Sequence, residues 1–356
     1  MAMQTYNLTP ARIDKFKGEI LAHAVPFECL GVMGRQISMP KNGSKTYVAR
    51  RWLPYGATAA NSSTINQFFA NGPGDRGNTM VQAHQIQEGI TPPPDSITPQ
   101  DIQVIIQQYG CLYGYSDQTA DLYEDDIPAA MTKQVGERVS LVNEMICYGA
   151  LKACTNQFFG GTGTTTGTVN AGITLGMVRK ITKSLKANHG MQVTSILKAA
   201  ANFATAPIES GYVVYTHTDL DPDIRDIPGF IPVKSYATGT PMKNEIGSVE
   251  QIRFVTSPDL PSLQDAGAAV GATQMSSTSG VNIDVYPFIV TAEDAWGQIA
   301  VRGVGALDPT VLLPGDKQKG DPFGQRGYVG TTWYKAVLIE NQGWMAVGFV
   351  GSRVLV

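Results

Sequence analysis

Charge is scarce in this sequence. Of 356 residues, only 16% are Asp, Glu, Lys or Arg, against about a quarter in an ordinary soluble domain. Nor is there a basic excess. Lys and Arg number 27, Asp and Glu 30, and the net charge is -3. A protein that grips nucleic acid carries clusters that neutralise phosphates, so the balance argues against that role. It does fit a container whose contents must slide. Cysteine is limited to Cys29, Cys111, Cys147 and Cys154. No C-x-x-C pair occurs, and neither a zinc site nor a disulfide framework is indicated. Cys147 and Cys154 are expected on one face of a helix, about two turns apart and too distant to bond. No run of about 18 apolar residues exists that could span a membrane. The opening MAMQTYNLTPARIDKFKGEI lacks the apolar stretch of a signal peptide. The expectation is therefore folding in a reducing cytoplasm.

Catalytic signatures are absent too. FFGGTGTTTGTVNAG (158–172) is glycine-rich but lacks G-K-[ST], and it follows a helix, where a nucleotide loop would follow a strand. It reads as a connection. There is no G-x-S-x-G elbow and no H-E-x-x-H. The four histidines lie far apart: His23, His84, His189 and His217.

What the chain does have is bulk and small polar residues. Hydrophobic content is 43%, and glycine (38 residues) exceeds a tenth of the chain. That suffices for a large core. It also leaves neutral, polar surfaces that can be buried against other copies with few charges to desolvate. Thr9-Pro10 opens a helix-like piece in which Ile13, Phe16, Ile20 and Leu21 recur at helical spacing. KTYVARRWLPY (45–55) and QVIIQQYGCLYGY (103–115) read as strands. Between them lies a polar stretch, about 56–100, with a triple proline at 92–94. A loop this long is unusual inside a compact domain. A hairpin with an extended tip, ordered by a partner, accounts for all three pieces. Arg50, Arg51 and Trp52 on the first strand, with Phe68 and Phe69 in the loop, are the candidate intersubunit contacts.

Glu124, Asp125 and Asp126, followed by Ile127-Pro128, predict a helix start. Ile127, Met131, Val135, Val139, Val142, Ile146 and Ala150 carry its apolar stripe to about residue 154. Such a helix spans ~40 Å and reads as a strut. Residues 175–189 form a shorter basic amphipathic helix with Gly190 past its end. Strands are expected at 211–216, 248–256, 285–291 and 297–302, with a surface loop at 261–282. The last residues read as a hairpin turning near 340–343. In THTDLDPDIRD, His217, Asp219, Asp221 and Asp223 resemble the start of a calcium loop. The sixth and twelfth positions, however, are Ile224 and Phe230 rather than Gly and Glu. The competing reading is strand, capping turn and helix, with aspartates capping backbone N–H groups.

Four passages carry a resemblance: DLDPDIRDIPGFIPV (219–233), GSVEQIRFVTSPDL (247–260), VYPFIVTAEDAWGQIAV (285–301) and DPFGQRGYVGTTWYKAVLIENQGWMAVGF (321–349). In order and spacing they resemble major capsid proteins of tailed phages in the N-four-like podophage lineage. The resemblance implies an α+β HK97-type capsid fold. Residues 1–45 would be an N-terminal arm and 46–115 an extended E-loop hairpin. Residues 116–159 would hold the peripheral domain with its spine helix, 160–325 the axial domain, and 326–356 the return to the peripheral domain. It also implies hexamers and pentamers closing into an icosahedral shell around double-stranded DNA. Further implied partners are a separate scaffolding protein, a portal and decoration proteins, with no membrane and no cofactor. Lys41 and Lys45 are available for a covalent crosslink, but no acceptor is marked. The alternatives are an encapsulin-like nanocompartment shell, a metal-dependent enzyme using His217, Asp219, Asp221 and Asp223, and a secreted β-rich adhesin.

Overall fold

In the computed structural model the described residues are 26–354, without 32, 41, 43, 53–84, 87, 92–96, 98, 124–125, 195–207, 237–241, 272–273, 302–307, 316 and 318–319. The expected helix after Thr9-Pro10, Phe68 and Phe69 therefore lie outside the described residues. The chain divides into two compact units. One holds residues 1–45, 105–148 and 298–337; the other holds 46–104, 149–297 and 338–356.

The first unit is a five-stranded sheet covered by a long helix. Its strands are β1 (Arg35–Met39), β4 (Gln107–Ser116), β11 (Trp296–Val301), β12 (Asp308–Leu312) and β13 (Arg326–Ile339). β13 is the hub: β11 and β12 flank it, and β4 pairs with it antiparallel from Arg326↔Ser116 to Lys335↔Gln107. Helix α1 (Asp117–Leu122) follows β4 directly, with Ser116 accepting the Thr119 N–H as its cap. Then comes α2 (Ile127–Leu151). Asp126 accepts the Ala129 N–H at 3.1 Å, so the acidic start caps as expected. Val135 and Val139 of the stripe are buried against Cys111, Tyr115, Val329 and Trp333, with Ile127, Met131 and Val142 packed on their edge. Beyond Val142 the buried face moves to Glu144, Cys147 and Tyr148. Ile146, eleven residues after Val135, stays within about 20° of it around the helix at 3.6 residues per turn, so the apolar stripe continues in line while the burying contacts pass to another face. The helix also stops at Leu151, three residues short of expectation, which leaves Cys154 beyond it.

The second unit is built on a seven-stranded sheet. Its strands are β5 (Gln157–Phe159), β6 (Tyr212–His217), β7 (Phe230–Pro232), β8 (Glu245–Val249), β9 (Ile252–Ser257), β10 (Tyr286–Thr291) and β14 (Met345–Val350). They lie in the order β5-β14-β10-β6-β9-β8-β7. β6, β9, β10 and β14 are buried almost throughout, as a sheet covered on both faces requires. Helix α3 (Leu175–Ala187) packs Met177, Val178, Ile181 and Leu185 into one cluster with Tyr212, Phe254 and Phe288. Thr174 caps its start. Gly190 lies past its end, as expected. His189, not glycine, takes the left-handed conformation (φ 57°), and Gly190 N–H reaches back to the Leu185 carbonyl while His189 N–H reaches Lys186. These are the two bonds of a Schellman close.

Three expected elements are corrected. The single strand at 248–256 is a hairpin, β8 and β9, with Val249 paired to Ile252 and a tight turn through Glu250 at φ 49°. The terminal hairpin is not one: β13 belongs to the five-stranded sheet and β14 to the seven-stranded one. Glu340 and Asn341 N–H groups bond the Ala295 carbonyl instead. Alternating apolar residues signal a strand but not its partner. The strand expected at 103–115 likewise breaks at buried Ile106, whose N–H bonds the Lys45 carbonyl. The break separates β3 (Pro99–Ile105) from β4.

Candidate functional site

β3 pairs with β2 (Thr46–Trp52) as a separate two-stranded sheet. The cross-links run in opposite order, Arg50 to Asp101 and Arg51 to Gln100, so the pair is antiparallel. Arg50 binds Asp101 with both Nε (2.7 Å) and Nη2 (2.9 Å). Its guanidinium holds the Asp101 carboxyl below the usual carboxylate range. Arg51 donates to Gln100 Oε1 from Nε and Nη2, and to the Glu340 carbonyl at 3.2 Å. Of the three candidate contacts here, Arg50 and Trp52 are exposed; Arg50 is paired to Asp101, and Trp52, 57% exposed, is the apolar one. Val48 and Ile105 of the same pair are also exposed, as are Ile86, Ile90 and Ile97 close by in sequence. A two-stranded sheet buries too little to hold itself in water. Apolar side chains left outside it are surface that a second chain can cover.

The His217–Asp223 stretch is a clasp. It forms the end of β6, a 3-10 turn at 218–220 and the short helix α4 (Asp221–Arg225). His217 Nδ1, rather than an aspartate, accepts the Asp219 N–H at 3.0 Å. This corrects the expectation that the aspartates do the capping. The Asp219 carboxylate accepts the Tyr286 hydroxyl at 2.8 Å. Burial, aided by that bond, pushes the Tyr286 phenol up to about 12. Buried Asp223 accepts the backbone N–H and Nε of Arg353, and Asp226 accepts its Nη2. Burial raises the Asp221 carboxyl. These carboxylates thus point at different partners. Among the described residues no group of three or more His, Cys, Asp or Glu side chains is placed to hold a metal. The stretch ties residues 352–353 to the seven-stranded sheet, with Ser352 donating to the Asp219 carbonyl.

The glycine-rich connection is also structural. Gly161 turns at φ 85°, and a Cβ on Gly160 would lie 2.4 Å from the Ala171 carbonyl oxygen. The four cysteines are free and buried. Burial pushes the Cys147 thiol up to about 11, against the pull of the Lys335 ammonium beside it.

Sequence reasoning missed a dense polar constellation around Glu144. This carboxylate is 1% exposed. Its Oε1 accepts N–H groups of Cys29 (3.2 Å) and Leu30 (2.8 Å) and the Cys29 thiol; Oε2 accepts the Gly31 N–H at 2.7 Å. From β11, the Gln298 amide donates to the carbonyls of Leu30, Gly31 and Met33. Glu28 accepts the Ser140 hydroxyl. The available signal was a glutamate three residues before Cys147 and four before Tyr148, both of them buried.

No protein-family model matches the chain. It is similar to the major capsid protein of Pseudomonas phage KPP21, with 21% identity over 262 residues, 68% of this chain. The match spans 65% of that relative, just under two thirds of its length. Among solved structures it is similar to the capsid asymmetric unit of cyanophage Pam1, with TM-score 0.60 and 11% identity over 98% of this chain and 99% of that one. The capsid of Ralstonia phage GP4 gives 0.58 and 9% over 97% and 99%, and the capsid of cyanophage P-SCSP1u gives 0.57 and 11% over 96% and 93%. Likeness at this coverage and this low identity establishes the fold: the chain has the mixed α and β fold of phage capsid proteins.

Proposed function

We propose that this chain is the major capsid protein of a tailed bacteriophage, of the N-four-like podophage lineage. Copies of it assemble as hexamers and pentamers into an icosahedral shell around double-stranded DNA. The observation that carries this reading is the likeness to phage capsid chains over nearly the whole length, joined to a relative named as a major capsid protein. The role is structural, not enzymatic.

The regions take HK97-type roles. The unit with α2 and the five-stranded sheet is peripheral, and α2, 25 residues long and hence roughly 37 Å, is its spine. The seven-stranded unit is axial. Residues 46–105, the part of the expected 46–115 hairpin outside the five-stranded sheet, are the E-loop, and 1–45 the arm. Trp52, together with Arg50, Arg51, Phe68 and Phe69, meets a neighbouring copy. The β2–β3 pair supports this, because its apolar side chains have little to bury within their own subunit. Each subunit then contributes several modest interfaces, and closed symmetry multiplies them. A separate scaffolding protein, a portal and decoration proteins complete the assembly in the host cytoplasm.

Co-expression of the chain with the adjacent genes of its genome, followed by sedimentation and negative-stain microscopy, tests the reading. Closed shells of uniform size are expected. A chain that stays monomeric in every combination contradicts it.

A further inference from the structure

Within the proposed arm, just ahead of β1, lie the described residues 28–31 and 33, and no strand or helix ladder holds them. Two side chains do. Three consecutive N–H groups, from Cys29, Leu30 and Gly31, converge on Glu144, making a backbone nest around a carboxylate. Hydrogen bonds to a charged acceptor are the stronger kind, and their number is what lets a charge sit buried at that depth. From the other side Gln298 takes three carbonyls of the same turn. Leu30 is fully buried. Donors and acceptors of this turn are thus held by α2 and β11 respectively.

The location gives the arrangement its consequence. β1 is an end strand of its sheet, with β11 as its neighbour. A pull on the chain before residue 28 would otherwise fall on that edge. With the turn fixed to α2, the pull ends there. We propose that Glu144 and Gln298 form a mooring that sets where the N-terminal arm leaves its own subunit, and so positions the arm for a neighbouring copy. Glu144 is a positioning residue in this scheme. The arm's purpose rests on the shell reading; the mooring itself does not.

Cys29 reports on the mooring directly, because its thiol is buried and donates to Glu144. The test uses the full chain with Glu144→Ala and Glu144→Gln, reading alkylation of each cysteine by peptide mass spectrometry in unassembled subunits, alongside shell yield. Loss of three charge-assisted bonds in Glu144→Ala is expected to speed Cys29 alkylation by about a hundredfold or more. Cys111 and Cys154 should stay protected, and shell yield should fall. Glu144→Gln keeps an acceptor for Cys29 and Leu30 and loses the one for Gly31, so about a tenfold rise is expected. If Glu144→Ala does not fold, this milder variant decides alone. Unchanged Cys29 protection overturns the proposal. So does a parallel rise at all four cysteines, which marks general loosening, and so does exposed Cys29 with wild-type shell yield. A wild-type chain that forms no shells overturns the shell reading, while the Cys29 rates still decide the mooring.

Discussion

Gly348 is expected to resist even the smallest side chain. It sits directly opposite Phe288 in the β10–β14 register, and the Phe288 ring lies over its bare backbone. A Cβ placed there would come within 2.1 and 2.2 Å of two ring carbons. Carbon atoms pack at about 3.5–4.0 Å, so the ring would have to move by about 1.4 Å. Phe288 is 1% exposed, in a cluster with Leu220, Ile252 and Phe254, and has nowhere to go. Gly348→Ala should therefore cost about 1–3 kcal/mol through overpacking. Phe288→Ala should cost about 3–5 kcal/mol through the cavity it leaves. In the double variant the new methyl enters the space the ring vacated. The combined loss should then fall short of the sum by at least about 1 kcal/mol. Urea unfolding of the unassembled subunit, followed by circular dichroism, measures all three. Losses that add within about 0.5 kcal/mol would refute the reasoning. The same device recurs in the other sheet, where the Tyr115 ring covers Gly327, its partner in the β4–β13 register. An aromatic ring over a cross-strand glycine replaces the packing that glycine cannot supply.

Trp52→Ala should leave the free subunit's stability within about 0.5 kcal/mol, because the ring is 57% exposed, yet it should lower shell yield in sedimentation assays. Burial raises the Asp221 carboxyl, so the folded state holds that proton more tightly than the unfolded one. The resulting stability is present below the ordinary carboxylate value, about 4, and is lost as pH rises through the raised value. Asp221→Asn should therefore be at least as stable as wild type at pH 7, with the difference closing in acid, as urea melts across pH 3–7 would record. Cys147, held near 11 by burial, should resist iodoacetamide at pH 9 in the native subunit and react readily in urea, where its pKa returns to about 8.5.

Local signals in the sequence translated well. The acidic start and Pro128 marked α2, amphipathic spacing marked α3, and the apolar run at 211–216 marked the buried strand β6 at Tyr212–His217. Pairing translated poorly. β13 and β14 lie within a few residues of each other in the chain but pair in different sheets, and nothing in their alternation states a partner. Glu250 and Gln251 read as polar positions of one strand, though a left-handed Glu250 makes them a turn. The site shows the same limit. Arg50, Arg51 and Trp52 were legible as an unusual cluster on a strand, whereas the reach of Arg51 to Glu340 spans 289 residues. Glu144 meets its partners across 113 to 115 residues, a distance over which a lone helix glutamate gives no sign.

Cryo-electron microscopy of the assembled particle tests the central claim most directly. The account predicts a closed icosahedral shell in which residues 46–105 and the arm before residue 28 lie mainly against neighbouring copies, with Trp52 covered. Particles in which those segments pack on their own subunit and Trp52 stays open to solvent, or an assembly that does not close, would contradict it.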